Sequence, residues 1–196
     1  MARLFVAVWI PEAVRATVRD ALDARRSAMS ADDKEAAGDR APPGGGLRWI
    51  PEGNWHVTLA FLGQVGDVDE AVEVFCSCEL ELPGPLDVVA GPATACFGHR
   101  VLHVPVTGLA VLAQRVAAAS WPSGVGAALD REPVPHVTVA RAGSSRSGPS
   151  GPGDGVRAFA GIPVAARWTV DAVALVSSEA LPGGACYTEV ARRPLR

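Results

Sequence analysis

The chain is short of cysteine, of surplus positive charge and of long apolar runs, and each shortage closes off a class of function. Four cysteines, Cys76, Cys78, Cys96 and Cys186, are too few for a disulfide scaffold in 196 residues, and the Cys-Ser-Cys run lacks the two-residue spacing of a zinc knuckle. They read as reduced cytoplasmic thiols whose role is packing. Lysine and arginine number 18 against 21 aspartates and glutamates, for a net charge of −3. The broad basic footprint that grips long nucleic-acid duplexes is therefore missing, although a pocket for one phosphate needs only a few local donors. The apolar run Leu4 to Ile10 stops at Pro11, too short for a membrane span and without a small-residue cleavage site behind it. Neither a signal segment nor a membrane anchor is expected.

With 48% hydrophobic residues, the chain has enough apolar side chains for one globular domain, or two small lobes sharing an interface. Leu4 to Ile10 reads as a buried strand, followed from Pro11 by a helix with Val14, Val18 and Leu22 on one stripe. Ser30 to Gly46 is rich in charge and breakers and predicts a mobile loop. Order returns at Leu47 to Ile50. A turn over Pro51 to Asn54 leads into a strand from Trp55 to Leu62 that Gly63 closes. A short helix is expected at Val68 to Phe75, with strands at Leu86 to Ala90 and Ala93 to Phe97. The second half repeats the first: a strand at Val101 to Val106, a helix at Leu109 to Ala119 and a strand at Val134 to Ala140. Gly143 to Gly155 reads as a flexible linker. One strand, Arg167 to Ser177, and a returning strand at Tyr187 to Ala191, joined through Pro182-Gly183-Gly184, close the chain as a hairpin.

Two near-identical tetrads stand at equivalent places in this repeat, His56-Val57-Thr58-Leu59 and His136-Val137-Thr138-Val139. Alternation along a strand sends His and Thr to one face and the two apolar residues to the other. A single histidine on a strand is more often structural than catalytic, but two of the four histidines occupy matched tetrads. If the modules face each other about a pseudo-twofold axis, both imidazoles and both hydroxyls line one groove. Opening a cyclic phosphodiester requires a base for water on one side of phosphorus and an acid for the leaving oxygen on the other. Imidazole suits both roles near neutrality. Thr58 and Thr138 can donate to the non-bridging oxygens, each contributing on the order of 3 kcal/mol in a dry site. No carboxylate or cysteine accompanies either tetrad at ligand spacing, which disfavours a metal site and leaves no metal or organic cofactor expected. His99, in a polar turn, and His103, within a strand, read as structural.

The paired tetrads resemble the His-x-Thr-x signature of the 2H phosphoesterases, and within them the RNA 2′,3′-cyclic phosphodiesterases also described as 2′-5′ RNA ligases. The resemblance spans nearly the whole chain, through Arg3-Leu4-Phe5-Val6-Ala7, Trp55 to Gly63, Pro135 to Arg141, and Ser178-Glu179 through Gly183 to Tyr187. It implies a single α+β domain over residues 1–196: two lobes, each a small antiparallel sheet with helices on its outer face, meeting at a cleft. It implies hydrolysis of 2′,3′-cyclic phosphate RNA ends or nucleotides to 2′-phosphates, with weak reverse 2′-5′ joining, by a cytoplasmic monomer. His56 is then the proton donor to the 3′ oxygen and His136 the acceptor that activates water. Thr58, Thr138 and Arg141 hold the phosphate, and Phe61 stacks on a base. Simple alternation puts Arg141 and Phe61 on the face opposite the histidines; a bulge would turn them inward, and otherwise they are a surface arginine and a core phenylalanine. The alternatives are a phosphodiesterase for 2′,5′-oligonucleotides or a small cyclic metabolite, and a nucleotide-binding module without turnover.

Overall fold

The computed structural model describes residues 2–35, 47–77, 84–119, 121, 134–142, 154–181 and 184–196. Among these residues ten strands and four helices follow one another as β1 (Ala2–Trp9), α1 (Glu12–Glu35), β2 (Leu47–Trp49), β3 (His56–Val65), α2 (Val68–Ser77), β4 (Leu86–Ala90), β5 (Ala95–Phe97), β6 (Val101–Thr107), α3 (Ala110–Ala118), β7 (His136–Ala142), α4 (Asp154–Arg157), β8 (Ala166–Val170), β9 (Ala172–Leu181) and β10 (Gly184–Pro194). A single 3-10 turn, Glu52–Asn54, leads into β3. The fold is α+β, and every strand pairing between named strands is antiparallel.

The strand order β10-β9-β1-β3-β7-β6-β4-β8 contains both expected half-sheets, β10-β9-β1-β3 and β7-β6-β4-β8. They join at one cross-strand pair, Val57 opposite Val137, into a continuous curled sheet. The helices cross the join: α1, from the first half, packs on β8 of the second, and α3 packs on β3 of the first. Val14, Val18 and Leu22 of α1 and Leu112 and Val116 of α3 therefore share one core with Val57 and Val137. Burying each such Val or Leu side chain contributes about 1.5–3 kcal/mol, so the halves are held together chiefly by packing.

Several boundaries differ from the sequence reading: β5 and β7 begin two residues later than expected, β10 extends three residues beyond each end of its expected span, and four further differences have a physical reason. Helix α1 runs through Ser30 to Glu35, because no glycine or proline interrupts the chain between Pro11 and Gly38; the rest of the expected loop, 36–46, lies outside the described residues. Strand β3 passes through Gly63 to Val65, Gly63 pairing with Leu4 at a φ of 79° that glycine tolerates. The strand expected over Arg167 to Ser177 is two strands, separated at Asp171, where the chain leaves one half-sheet for the other; the Asp171 carbonyl accepts a hydrogen bond from Leu195 N at 2.7 Å. Asp154 and Gly155, placed in the linker, open α4, whose Val156 is buried; positions 143–153 and the turn at 182–183 lie outside the described residues. Among the thiols, Cys96 is half-buried, whereas Cys76 and Cys186 are exposed and have no packing role; Cys78 is outside the described residues. No helix among the described residues is long and apolar enough to cross a membrane.

Gly108 sits between β6 and α3 at a φ of 96°, and a Cβ there would lie 2.4 Å from the Asp87 carbonyl oxygen. Gly63 has positive φ but open space around it. Gly108→Ala is expected to cost about 3 kcal/mol, through backbone clash as well as strain, and Gly63→Ala only about 1 kcal/mol. Chemical denaturation of the two variants, with equal losses as the contrary result, checks the distinction.

Candidate functional site

The pair Val57–Val137 fixes the relation between the tetrads. Both valines point into the core, with 0% and 1% of their surface exposed, so their neighbours in sequence face the other side of the sheet. Continuing the antiparallel register from this pair sets His56 across from Thr138 and Thr58 across from His136. The two histidines are then diagonal neighbours, with backbones about 7–8 Å apart. A pseudo-twofold axis passes through the valine pair and relates the two halves. The flanking strands obey it: His56 pairs with Trp9 and Thr58 with Ala7, while His136 pairs with Pro105 and Thr138 with His103.

Each imidazole is anchored in the same way. His56 Nδ1 lies 2.7 Å from the Asn54 carbonyl and His136 Nδ1 lies 2.8 Å from the Val134 carbonyl. A carbonyl only accepts, so in both rings Nδ1 carries the hydrogen and Nε2 is the atom free to exchange a proton. His56 Nε2 also meets the Thr58 hydroxyl at 3.1 Å, which donates when the ring is neutral. Burial lowers the pKa of His56 below its ordinary 6.5; the Asn54 carbonyl opposes this, and the neighbouring His136 and Arg141 lower it further. His136 is lowered by burial too, opposed by the Val134 carbonyl and assisted by Arg141. Arg141 thus acts electrostatically on both rings.

Arg141 and Phe61 reach the cleft through matched bulges. In β3 the register against β1 slips between Val6 and Ala7, so that Leu59 is passed over; in β7 the register against β6 slips between Leu102 and His103, so that Val139 is passed over. Two successive residues then face the core, Leu59 with Ala60 and Val139 with Ala140, and the alternation inverts. Phe61 and Arg141 emerge on the histidine face at equivalent positions of the two halves. Because β3 and β7 run in opposite directions from the axis, they emerge at opposite ends of the site. Phe61 is 69% exposed, not a core residue.

His56, Thr58, Phe61, His136, Thr138 and Arg141 all line one cleft of about 520 Å³. Other residues join them that the tetrads do not reveal. Phe5, Trp9 and Tyr187 surround the His56 ring at centroid distances of 4.9, 5.7 and 5.2 Å. Phe97 stands edge-on to His136 at 4.8 Å. Trp9 is held by its indole N–H donating to Glu189 at 2.8 Å. A signal for the first group exists in the alternation Arg3, Phe5, Ala7, Trp9 along β1, which shares a face with His56; Tyr187 and Phe97 arrive through pairing that local sequence does not encode. Arg3 also lines the cleft, and no aspartate or glutamate is among its described lining residues. Among the described residues no group of three or more His, Cys, Asp or Glu side chains could hold a metal ion.

His99 lies in an exposed turn. His103 is buried, stacked on Phe97 at 3.8 Å and edge-on to His136 at 5.3 Å, and its Nδ1 has no hydrogen-bond partner among the described residues. Burial, assisted by His136 and opposed by the Val101 carbonyl, pushes its pKa down to about 4. The unfolded chain therefore binds more protons than the native state between pH 6.5 and 4, and stability is complete above that window and lost as pH falls through it. The loss has an upper limit of roughly 3 kcal/mol. Urea unfolding from pH 7 to 4 is expected to show this decline, and His103→Phe to flatten it; an unchanged slope in the variant would contradict the assignment.

No family model matches the chain, and no curated protein sequence does. Solved structures match it over nearly their full length. A Thermus thermophilus protein is 25% identical, with 99% of this chain and 98% of that one covered and a TM-score of 0.63. A structure described as a phosphoesterase is 22% identical, covering 100% and 99%, with a TM-score of 0.66. E. coli LigT in complex with phosphate is 22% identical, covering 99% and 97%, with a TM-score of 0.59; the same protein has been solved with 3′-AMP. The chain has the α+β fold shared by these phosphoesterase and LigT structures, in keeping with its resemblance to the 2H phosphoesterases.

Proposed function

We propose that this protein is a 2H phosphoesterase that hydrolyses 2′,3′-cyclic phosphates on RNA ends or nucleotides, leaving a 2′-phosphate. The observation that carries the reading is the diagonal pair of imidazoles, both locked through Nδ1 so that Nε2 is the atom left to exchange a proton, in a cleft that also holds two threonine hydroxyls and an arginine. The fold shared with a phosphoesterase and with LigT, and the binding of phosphate and 3′-AMP by LigT, support the same class of substrate.

In this mechanism the phosphorus sits between the two Nε2 atoms. His136 Nε2 takes a proton from water as the water oxygen bonds to phosphorus. The P–O3′ bond breaks on the opposite side, and His56 Nε2 delivers its proton to O3′. The assignment of donor and acceptor follows the family resemblance. Thr58, Thr138 and Arg141 donate to the non-bridging oxygens, where charge accumulates. Arg141 both attracts the anion and disfavours protonation of the histidines in the empty site; the bound phosphate reverses that bias and favours the charged donor. With a 5′-hydroxyl in place of water, the same steps in the same direction join RNA ends through a 2′-5′ linkage, and their reversal cleaves that linkage. Phe61 offers a flat apolar face to a base.

His56→Ala and His136→Ala are each expected to lower kcat at least about 10²-fold on a nucleoside 2′,3′-cyclic phosphate in EDTA, with phosphorus NMR showing a 2′-phosphate. Normal turnover in either variant would refute the acid-base pair, and a 3′-phosphate product would reassign the leaving group. The kcat/KM profile is expected to be bell-shaped with its maximum on the acid side of pH 6.5, since both rings are lowered in the free enzyme. A profile still rising at pH 8 would contradict it.

A further inference from the structure

Arg3 is a second arginine in the cleft, away from the tetrads and outside the roles assigned so far. It occupies β1 between Gln64 of β3 and Ser178 of β9, and Ser178 pairs in turn with Tyr187 of β10. Of this row, Arg3, Ser178 and Tyr187 line the cleft with Gly63. Ala7, opposite Thr58, marks the level of the tetrads on β1, so Arg3 lies four residues, or about 13 Å, further along the strand. Arg3 therefore shares the Phe61 end of the site, while Arg141 occupies the other.

The side chain of Arg3 is exposed and, among the described residues, makes no ion pair. A guanidinium held in a cleft without carboxylates keeps its full charge for an anionic ligand. A long arginine side chain reaching back toward the centre shortens the 13 Å to the scale of one nucleotide. Ser178 adds a hydroxyl beside it. Gly63, with no side chain, leaves the floor open between Phe61 and Arg3.

We propose that Arg3 and Ser178 form a second anion subsite, which takes the phosphate on the 5′ side of the terminal nucleotide while its cyclic phosphate lies between the histidines. The subsite rests on the cyclic-phosphodiesterase reading and sharpens it: the substrate is the end of an RNA chain in preference to a bare cyclic nucleoside phosphate. The nucleotide then lies across Phe61, with one phosphate at each side of its sugar and base.

The test compares three substrates: a nucleoside 2′,3′-cyclic phosphate, the same compound with a 5′-phosphate, and a dinucleotide ending in the cyclic phosphate. In the wild type, kcat/KM is expected to rise about tenfold or more when the 5′-side phosphate is added, and to rise for the dinucleotide as well. Arg3→Gln should reduce both gains to about twofold or less, with Arg3→Lys between. The Arg3-dependent gain should shrink with added salt. No gain in the wild type, or a gain that survives Arg3→Gln, overturns the subsite. A gain confined to the free 5′-phosphate overturns the preference for chain ends. Calorimetry with a nucleoside 2′-phosphate and its 5′,2′-bisphosphate reads the subsite without turnover. If the wild type opens none of the three substrates, the catalytic reading fails, and an Arg3-dependent affinity ratio between the two calorimetric ligands still decides the subsite.

Discussion

One backbone pairing organises the site: Val57 of β3 against Val137 of β7. It joins the two half-sheets, it lies on the pseudo-twofold axis, and its side chains drop into the core so that the flanking histidines and threonines must face away from it. Helices cross from each half to the other, α1 onto β8 and α3 onto β3, and share one core with both valines. The spacing of the imidazoles is consequently a property of the core. It does not depend on a loop closing or on two domains approaching. Such preorganised geometry is what proton transfer on both sides of one phosphorus requires.

The second constraint is the repeated bulge. A regular strand cannot present His at the first position of a tetrad and another cleft residue five positions on, because five is odd. Passing over Leu59 in one strand and Val139 in the other solves this twice by the same device. The device also places two successive apolar residues into the core in each strand, so the change of face costs no buried polar group. Around these strands the two histidines have different neighbourhoods, Phe5, Trp9 and Tyr187 for His56 and Phe97 and His103 for His136. A symmetric scaffold thus holds two rings in unequal environments.

Much of this is legible in the sequence. Apolar spacing located the core face of α1 at Val14, Val18 and Leu22, strand alternation gave the facing of both tetrads, and the strand-helix-strand repeat anticipated their juxtaposition. What local pattern could not supply was pairing. The half-sheets share one ladder pair, between residues 80 positions apart, which no local pattern marks. The split at Asp171 is invisible in a valine-rich run because both products are buried strands. Tyr187 and Phe97 enter the site only through β10 and β5 lying beside their partners. Phe5 lies within the run Leu4 to Ile10 that reads as a buried strand, and Arg3 just before it; only the curvature of the sheet makes one face of that strand a cleft.

A site arranged about a twofold axis has no inherent direction: a ligand and the same ligand turned end for end would meet the same two imidazoles and hydroxyls. The matched positions after the bulges remove that ambiguity, because one is Phe61 and the other Arg141. Phe61 with Arg3 beyond it at one end, and Arg141 at the other, give the groove a polarity. The two orientations of a ligand are thereby made unequal by side chains at positions that the repeat otherwise matches.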